Sequence, residues 1–325
     1  MKRLLLPALL LSSITGCDHE VGGIDLPPGR TGITGITSNL RSVFAVSDSE
    51  VYVVGEGGTV ATYDGTRLRR VEVPGVTEND FLWAVGASGS GEVVAVGGTP
   101  QETPLLVTLH DGAWRSAAGP QGVENFHAAQ QVMSTLHFGN GIPPRVVLAG
   151  GVLEDGNLLG YATGYADGAF TPIGLPSTYA FLAGVTGFGA RLYFSHVQGI
   201  LNINAEATAI DLPGAPAEVS TPTLALADGR DTYMFGFAGD GTFHTSFNGT
   251  WSSLQTEFNW VLDLDGRTID DLYAVGGAGT FLHFDGTTWT ALDSGTTEHL
   301  RDVHVLPNGH VYVVGDNGTF FAYVP

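Results

Sequence analysis

Apolar positions between residues 271 and 289 come in short runs, each closed by glycine or a polar pair. Leu272 to Val275 is one run, ended by Gly276-Gly277. Thr280 to Phe284 is a second, ended by Asp285-Gly286, and Trp289 opens a third. Short β-branched and aromatic runs between turn residues predict strands, and Asp-Gly between two of them predicts a hairpin. The run with its small terminal residue recurs as Val51–Gly55, Val93–Gly97, Val146–Gly150, Arg191–Ser195, Thr232–Gly236 and Val311–Gly315. From Gly55 the steps are 42, 53, 45, 41, 40 and 39 residues. Seven copies at this period predict an all-β, seven-bladed β-propeller with one four-stranded sheet per copy.

Each copy divides into four strands. Strand A covers Leu40–Val46, Phe81–Val85 and Leu300–Val305 in three of them. Strand B is the run ending in glycine. It is apolar on both faces, as a strand sandwiched between neighbouring sheets should be. Strand C follows a Gly-Thr pair, at Gly58, Gly241, Gly279 and Gly318. The C–D turn is Asp64-Gly65, Asp111-Gly112, Asp167-Gly168, Asn248-Gly249 or Asp285-Gly286. These residues tolerate the positive φ of type I′ turns. An aromatic often follows (Trp114, Phe170, Trp251, Trp289), placed to wedge between blades. The last copy stops at Pro325, after strand C. Aligning Leu40-Arg41 with Leu300-Arg301 sets Thr31–Thr34 where a strand D is missing. The N-terminal strand is therefore expected to pair with the last blade and close the ring, removing an aggregation-prone edge. The longest step leaves room for an insertion around Gln121 to Val132, where Phe126–Val132 is read as a short helix.

The N-terminus reads as an address. Lys2-Arg3 precede an apolar stretch, Leu4 to Ile14, too short to span a bilayer. Ile14-Thr15-Gly16-Cys17 then resembles a bacterial lipobox. The resemblance implies cleavage before Cys17 and lipidation of its sulfur, which accounts for the single cysteine of the chain. The expected organisation is a signal peptide at 1–16, a lipidated Cys17 with a flexible tether at 17–30, and a propeller at 31–325. The tether reading rests on Gly22-Gly23 and Pro27-Pro28 and on the lack of any period. Location in the bacterial envelope follows, with the choice of membrane open.

Composition narrows the partners. Charged residues are 14% of the chain, and the net charge is −20. Such a field repels phosphate backbones, which argues against nucleic acid. The pattern Ala-Val-Gly-x-x-Gly-Thr…Asp-Gly-Thr-Thr-Trp resembles repeats in surface lipoproteins of myxobacteria and related bacteria. It is also similar to the propellers of photosystem II assembly factors and, more distantly, to sialidase-type Asp-box repeats. The last of these implies little about activity, because His283-Phe284-Asp285 lacks the Ser of a strict Asp-box.

Candidate chemistry is sparse. Arg41 and Arg301 each follow a Leu at the start of strand A, in blades that become neighbours on closure. They are candidates for an anion- or ligand-binding pair at the channel mouth. The competing reading pairs each with a nearby acid such as Asp302 or Asp48. Asp263-Leu-Asp265-Gly266 with Asp270-Asp271 has a calcium-loop flavour but lacks the ligand set of an EF-hand, and is read as an A–B turn. His244 and His283 fall on strand C at positions that do not coincide, so no metal is expected, nor any cofactor. The leading reading is a monomeric, non-catalytic protein- or glycan-binding scaffold, held to the membrane through Cys17. A carbohydrate-active enzyme is the first alternative, requiring two positioned carboxylates. An assembly factor for an envelope complex is the second.

Overall fold

A computed structural model gives the fold. It describes residues 30–32, 35–87, 92–101, 103–119, 123–131, 146–154, 157–166, 168–175, 182–188, 191–196, 199–203, 209–211, 215–216, 224–228, 231–258 and 260–325. The chain enters as β1 (Arg30–Gly32). Blade I is β2 (Leu40–Ser47), β3 (Glu50–Gly55), β4 (Thr59–Tyr63) and β5 (Leu68–Arg70). Blade II is β6 (Phe81–Ala87), β7 (Val93–Gly98), β8 (Pro104–His110) and β9 (Ala113–Ala118). Blade III is β10 (Val123–Gln131), β11 (Val146–Glu154), β12 (Asn157–Ala166) and β13 (Ala169–Ile173). Blade IV is β14 (Leu182–Phe188), β15 (Arg191–His196), β16 (Gly199–Ile203) and β17 (Ala209–Asp211). Blade V is β18 (Leu224–Asp228), β19 (Asp231–Phe237), β20 (Thr242–Phe247) and β21 (Thr250–Gln255). Blade VI is β22 (Val261–Thr268), β23 (Asp271–Gly276), β24 (Phe281–Phe284) and β25 (Trp289–Ala291). Blade VII is β26 (Leu300–Val305), β27 (Val311–Gly315) and β28 (Phe320–Tyr323), completed by β1.

The ring closes as expected. β1 pairs antiparallel with β28 in the register Arg30↔Tyr323, Thr31↔Ala322, Gly32↔Phe321. Arg30, read from the sequence as the end of the tether, is the first strand residue.

The core is not central. It is divided into seams between blades, because strand B is buried on both faces. Val51 and Val53 of β3 meet Tyr312, Val314 and Phe320 of blade VII. The alternate residues, Tyr52 and Val54, meet Leu82, Val93 and Ala95 of blade II. The period of two thus sends one strand into two different cores. The strand-D aromatics wedge as predicted. The Trp289 ring sits 5.2 Å from Phe237 and 5.1 Å from Phe243 of blade V. The Trp114 ring lies 6.0 Å from Tyr52 of blade I.

Two local expectations need correction. Residues 126–131, read as helix, lie in β10, which pairs along its length with β11. Pairing with an already apolar strand B overrides a weak local helix preference. The residues that lengthen this copy fall between β10 and β11, outside the described residues. The C–D turns are of two kinds. Asp111 (φ 50°) with Gly112 (φ 72°), and Asn248 (φ 48°) with Gly249 (φ 84°), have both central residues at positive φ. In blades I and VI only the glycine does. There Asp64 Oδ1 accepts the N–H groups of Thr66 and Arg67, at 3.0 and 2.8 Å. Asp285 Oδ1 accepts those of Thr287 and Thr288, at 2.9 and 2.8 Å. The side chain caps a longer turn instead of adopting the left-handed conformation. Asp167 lies outside the described residues.

The glycine that ends strand B has a cause in strand A. In blades I, II, IV, VI and VII the register of strand A jumps by one residue near its start, at Leu40/Ser42, Leu82/Ala84, Leu182/Gly184, Val261/Asp263 and Leu300/Asp302. This bulge carries the preceding carbonyl over the end of strand B. A Cβ on Gly55, Gly97, Gly276 or Gly315 would lie 2.2, 1.8, 2.3 or 2.3 Å from the carbonyl oxygen of Asn39, Phe81, Trp260 or His299. Gly97→Ala is therefore expected to destabilise the fold by more than ~2 kcal/mol, while Gly174→Ala, with open space around its Cβ, stays within ~0.5 kcal/mol. Urea or thermal unfolding of the two variants checks this.

Candidate functional site

A β-bulge re-aims the residue it inserts. In blade III the register shifts at Glu124 and His127. In blades I, II, IV, VI and VII the inserted residues are Arg41, Trp83, Ala183, Leu262 and Arg301. They sit where strand A begins, beside the connection from strand B to strand C, around one mouth of the channel. Arg41 and Arg301 occupy the same place in blades I and VII. The same two copies, and no others with a described bulge, carry an acid directly after the strand-B glycine: Glu56 and Asp316.

The arginines meet those acids. Arg301 Nε donates to Asp316 Oδ1 at 2.9 Å and Nη2 to Oδ2 at 2.6 Å, a bidentate pair. Arg41 Nη2 pairs with Glu56 Oε1, and Asn39 Nδ2 donates to Glu56 Oε2 at 2.9 Å. The partners are thus neither Asp302 nor Asp48. Asp48 is held by Asn308 at 2.8 Å and His310 at 2.6 Å. Because closure sets blades VII and I side by side, the two pairs form one group of four charges. Burial works to raise the Asp316 carboxyl, but its hydrogen bonds to Arg301 and the charges of Arg301 and Arg41 hold it below the usual range. Arg301 is held above its ordinary value by the hydrogen bonds it donates to Asp316, with the charges of Asp316 and Glu56 adding to them.

Aromatic rings flank this group on both sides. The Arg41 guanidinium lies 5.3 Å from the centre of the Trp83 ring, within cation–π range. Trp83 is stacked on Phe81 at 6.0 Å and 10°. On the other side Trp260 is 55% exposed, and its ring lies 4.7 Å from His299. Trp260 sits at φ 60°, where a bulky side chain is strained. Its ring lies against Gly277, whose added Cβ would come to 2.4 Å of Trp260 Cε3. Strain of this kind persists only where surrounding structure imposes it, and it concentrates at functional places. The mouth across blades VI, VII, I and II therefore carries exposed Trp260 and Phe81 and half-buried Trp83 around a paired-charge centre.

Deeper in the channel the inner strands meet edge to edge. Strand A is the edge of its sheet, so its outward N–H groups need partners from elsewhere. The preceding blade supplies them. Asp302 Oδ2 accepts from Val43 N at 2.7 Å, Asp263 Oδ2 from Val303 N at 2.9 Å, and Asp265 Oδ2 from Val305 N at 2.8 Å. Ser42 Oγ does the same for Val85 N at 3.2 Å, and Thr186 Oγ1 for Ala225 N at 3.3 Å. This corrects the reading of 263–266 as a turn. Asp263 and Asp265 are strand-A residues that latch one blade to the next. Burial pushes the Asp263 carboxyl well above the carboxylate range, and the charge and hydrogen bond of Asp302 push it further. Burial also raises Asp265, against the opposing pull of His304, whose Nδ1 is 3.3 Å away.

The remaining candidates are dispersed. His283 Nε2 is 2.9 Å from Asp271 Oδ1, and His244 Nδ1 is 2.9 Å from Ser253 Oγ. Among the described residues no group of three His, Cys, Asp or Glu side chains has the arrangement of a metal site. Cys17 lies outside the described residues. Sequence reasoning missed Trp260, Trp83 and the two acids. The acids had a signal, since Leu-Arg and Gly-acid occur in the same two copies.

No family model and no curated protein sequence matches the chain. Solved structures do. YCF48 bound to D1 peptide shares 16% identity, with 91% of this chain and 97% of that chain covered and a TM-score of 0.64. YCF48 from Cyanidioschyzon merolae shares 14%, covering 91% and 99%, with a TM-score of 0.65. Virginiamycin B lyase from Staphylococcus aureus shares 11%, covering 91% and 98%, with a TM-score of 0.68. The likeness is one of fold. At these identities it places the chain among β-propellers and leaves the work of the mouth to its own residues.

The Asp263 latch makes a pH prediction. A carboxyl raised in the fold above its unfolded value favours the native state while protonated. That contribution is full below the unfolded value of 3.8 and is lost as pH rises through the folded value. Asp263→Asn keeps an acceptor for Val303 N–H and cannot ionise. Its melting temperature should match the parent near pH 4 and exceed it increasingly toward pH 8. A variant less stable than the parent at pH 8 would show that the charge itself is needed.

Proposed function

We propose that this protein is a non-catalytic binding module of the bacterial envelope, held to its membrane by lipid on Cys17. Its channel mouth across blades VI, VII, I and II receives an extended segment of a protein partner. The observation that carries the reading is the exposed, conformationally strained Trp260 against His299, on the same mouth as the Arg301 and Arg41 pairs and Trp83. Exposed Trp260 and the half-buried Arg41 over Trp83 are of the residue types that dominate binding energy at protein interfaces. The paired acids Glu56 and Asp316 leave the arginines planar and oriented, so a peptide carboxylate or carbonyl can exchange for one of them without reorganising the guanidinium. A propeller of the same fold, YCF48, is solved bound to D1 peptide, which supports a polypeptide as ligand. The strand-A acids Asp263, Asp265 and Asp302 already serve backbone N–H groups of the next blade, which favours binding over two-carboxylate hydrolysis.

The test is capture from cross-linked intact cells with the anchored protein as bait. One recurring envelope protein is expected in the eluate, and Trp260→Ala or the double variant Arg41→Ala, Arg301→Ala should deplete it at least tenfold. A stoichiometric complex would refine the role to assembly factor. Recovery of the same protein with both variants would falsify the mouth as the docking site. Cys17→Ser is expected to shift the protein from the membrane fraction to the soluble fraction, checked by fractionation and immunoblot; unchanged sedimentation with membranes would remove the lipid from the reading.

A further inference from the structure

Blade lengths differ around the ring, and at one seam the difference leaves a cleft. The outer strands of blade V, Thr242–Phe247 and Thr250–Gln255, are six residues each. Those of blade VI, Phe281–Phe284 and Trp289–Ala291, are four and three. The blade V face that turns toward blade VI is therefore only partly covered. Trp289 covers its Phe243 end. Toward the C–D turn blade VI offers only Ile269, Phe284 and Gly286, and a cavity of about 310 Å³ remains. This is at the small end of the ~300–1,000 Å³ range of small-ligand pockets. Phe247 and Leu254 beside it are 49% and 48% exposed, far above the nearly dry seams elsewhere.

The chemistry of the lining is specific. Aromatic rings of Tyr233, Phe235, Phe243 and Phe247 form its body, with Tyr233 and Phe247 5.2 Å apart. Interleaved with them by strand pairing are Thr245 opposite Ser252, and Phe247 opposite Thr250. Among the described residues no hydrogen bond engages the hydroxyls of Thr245, Thr250 or Ser252. No Asp, Glu, Lys, Arg or His lines the cavity. A ligand here needs an apolar face for the rings and hydroxyls for the threonines and serine, and it needs no charge. The chain as a whole carries a net charge of −20, which disfavours anionic glycans and anionic headgroups. A wholly apolar ligand would leave the three hydroxyls facing it unpaired.

We propose that the cleft between blades V and VI is a binding subsite for a neutral sugar, one or two rings long, stacked on Phe247 and Tyr233 and hydrogen-bonded through Thr245, Thr250 and Ser252. It is separate from the mouth, which lies on the opposite side of the ring from these C–D turns, and it does not depend on the mouth's partner.

The test is titration of the full protein with neutral di- to tetrasaccharides of the β-1,4-glucose, α-1,4-glucose and β-1,4-N-acetylglucosamine series. Saturation-transfer NMR and calorimetry read the binding, with n-octanol as the apolar control. Saturable binding of at least one series is expected. It should fall at least tenfold in Phe247→Ala and at least fivefold in Thr245→Val combined with Ser252→Ala. All three positions are partly or fully exposed, so the variants should keep the parent melting temperature. Leu254→Arg gives a further variant that blocks the cleft from its rim. Three results overturn the proposal: no saturable binding in any series at 10 mM, sugar binding that survives all these variants, or octanol displacing the sugar's place with no dependence on the hydroxyls.

Discussion

A four-stranded sheet whose second strand is apolar on both faces cannot be stable alone, and the architecture follows from that. Each blade needs a neighbour on either side, so the only finite arrangement without a bare apolar face is a closed ring. The seam between blades VII and I is the one that sequence order does not provide. It holds Leu40, Val51 and Val53 against Tyr312, Val314 and Phe320, residues from opposite ends of the chain. β1 fastens that seam by adding the outermost strand of blade VII from the N-terminal end. Asp48 ties the same two blades through Asn308 and His310. Loss of closure would expose two faces and an unpaired strand at once.

The same demand acts at the inner edge. Seven strand-A edges converge on the channel, and their N–H groups cannot pair with one another in a ladder. Side chains from the preceding blade take them instead, as carboxylates in blades VI and VII and as hydroxyls in blades I and IV. A buried carboxylate is a costly choice beside a hydroxyl. Asp263 accommodates the cost by keeping its proton to higher pH, next to Asp302. The bulge at the start of strand A belongs to this edge too. In blades I, II, IV, VI and VII it re-aims one residue at the start of the strand, so the frame that closes the ring also fixes where variable side chains are shown.

Much of this was legible because the repeat has steric causes. The glycine ending strand B recurs since a Cβ there would meet a carbonyl at about 2 Å, a constraint that local sequence must obey. The aromatic after the C–D turn recurs since it fills a seam. What was not legible lies where tertiary pairing decides. Phe126 to Gln131 has no strong strand signal, and only β11 makes it a strand. Asp263 and Asp265 look like turn residues until the next blade's N–H groups are in place. The arginine partners were one step from view: Arg41 and Arg301 are accompanied by Glu56 and Asp316 in their own copies. Trp260 gave no sign, because its importance comes from φ and exposure rather than from its position in the repeat.

A ring of this kind has room for function where copies depart from the shared pattern, since the shared part is occupied with packing. Two departures stand out, and they differ in chemistry for a physical reason. At the mouth, bulged residues are free of both seams, so blades VII and I can carry charge there provided each arginine has its acid. Between blades V and VI the departure is in strand length. A shortened blade uncovers the face of its neighbour, and that face was built for a seam. It can therefore offer rings and small hydroxyls but no charge, because a charge on that face would have to be buried further in, where Phe237, Phe243 and Trp289 meet. A charged, aromatic-flanked mouth and an uncharged cleft are thus two outcomes of one rule: what a position may present is set by how many neighbours must cover it.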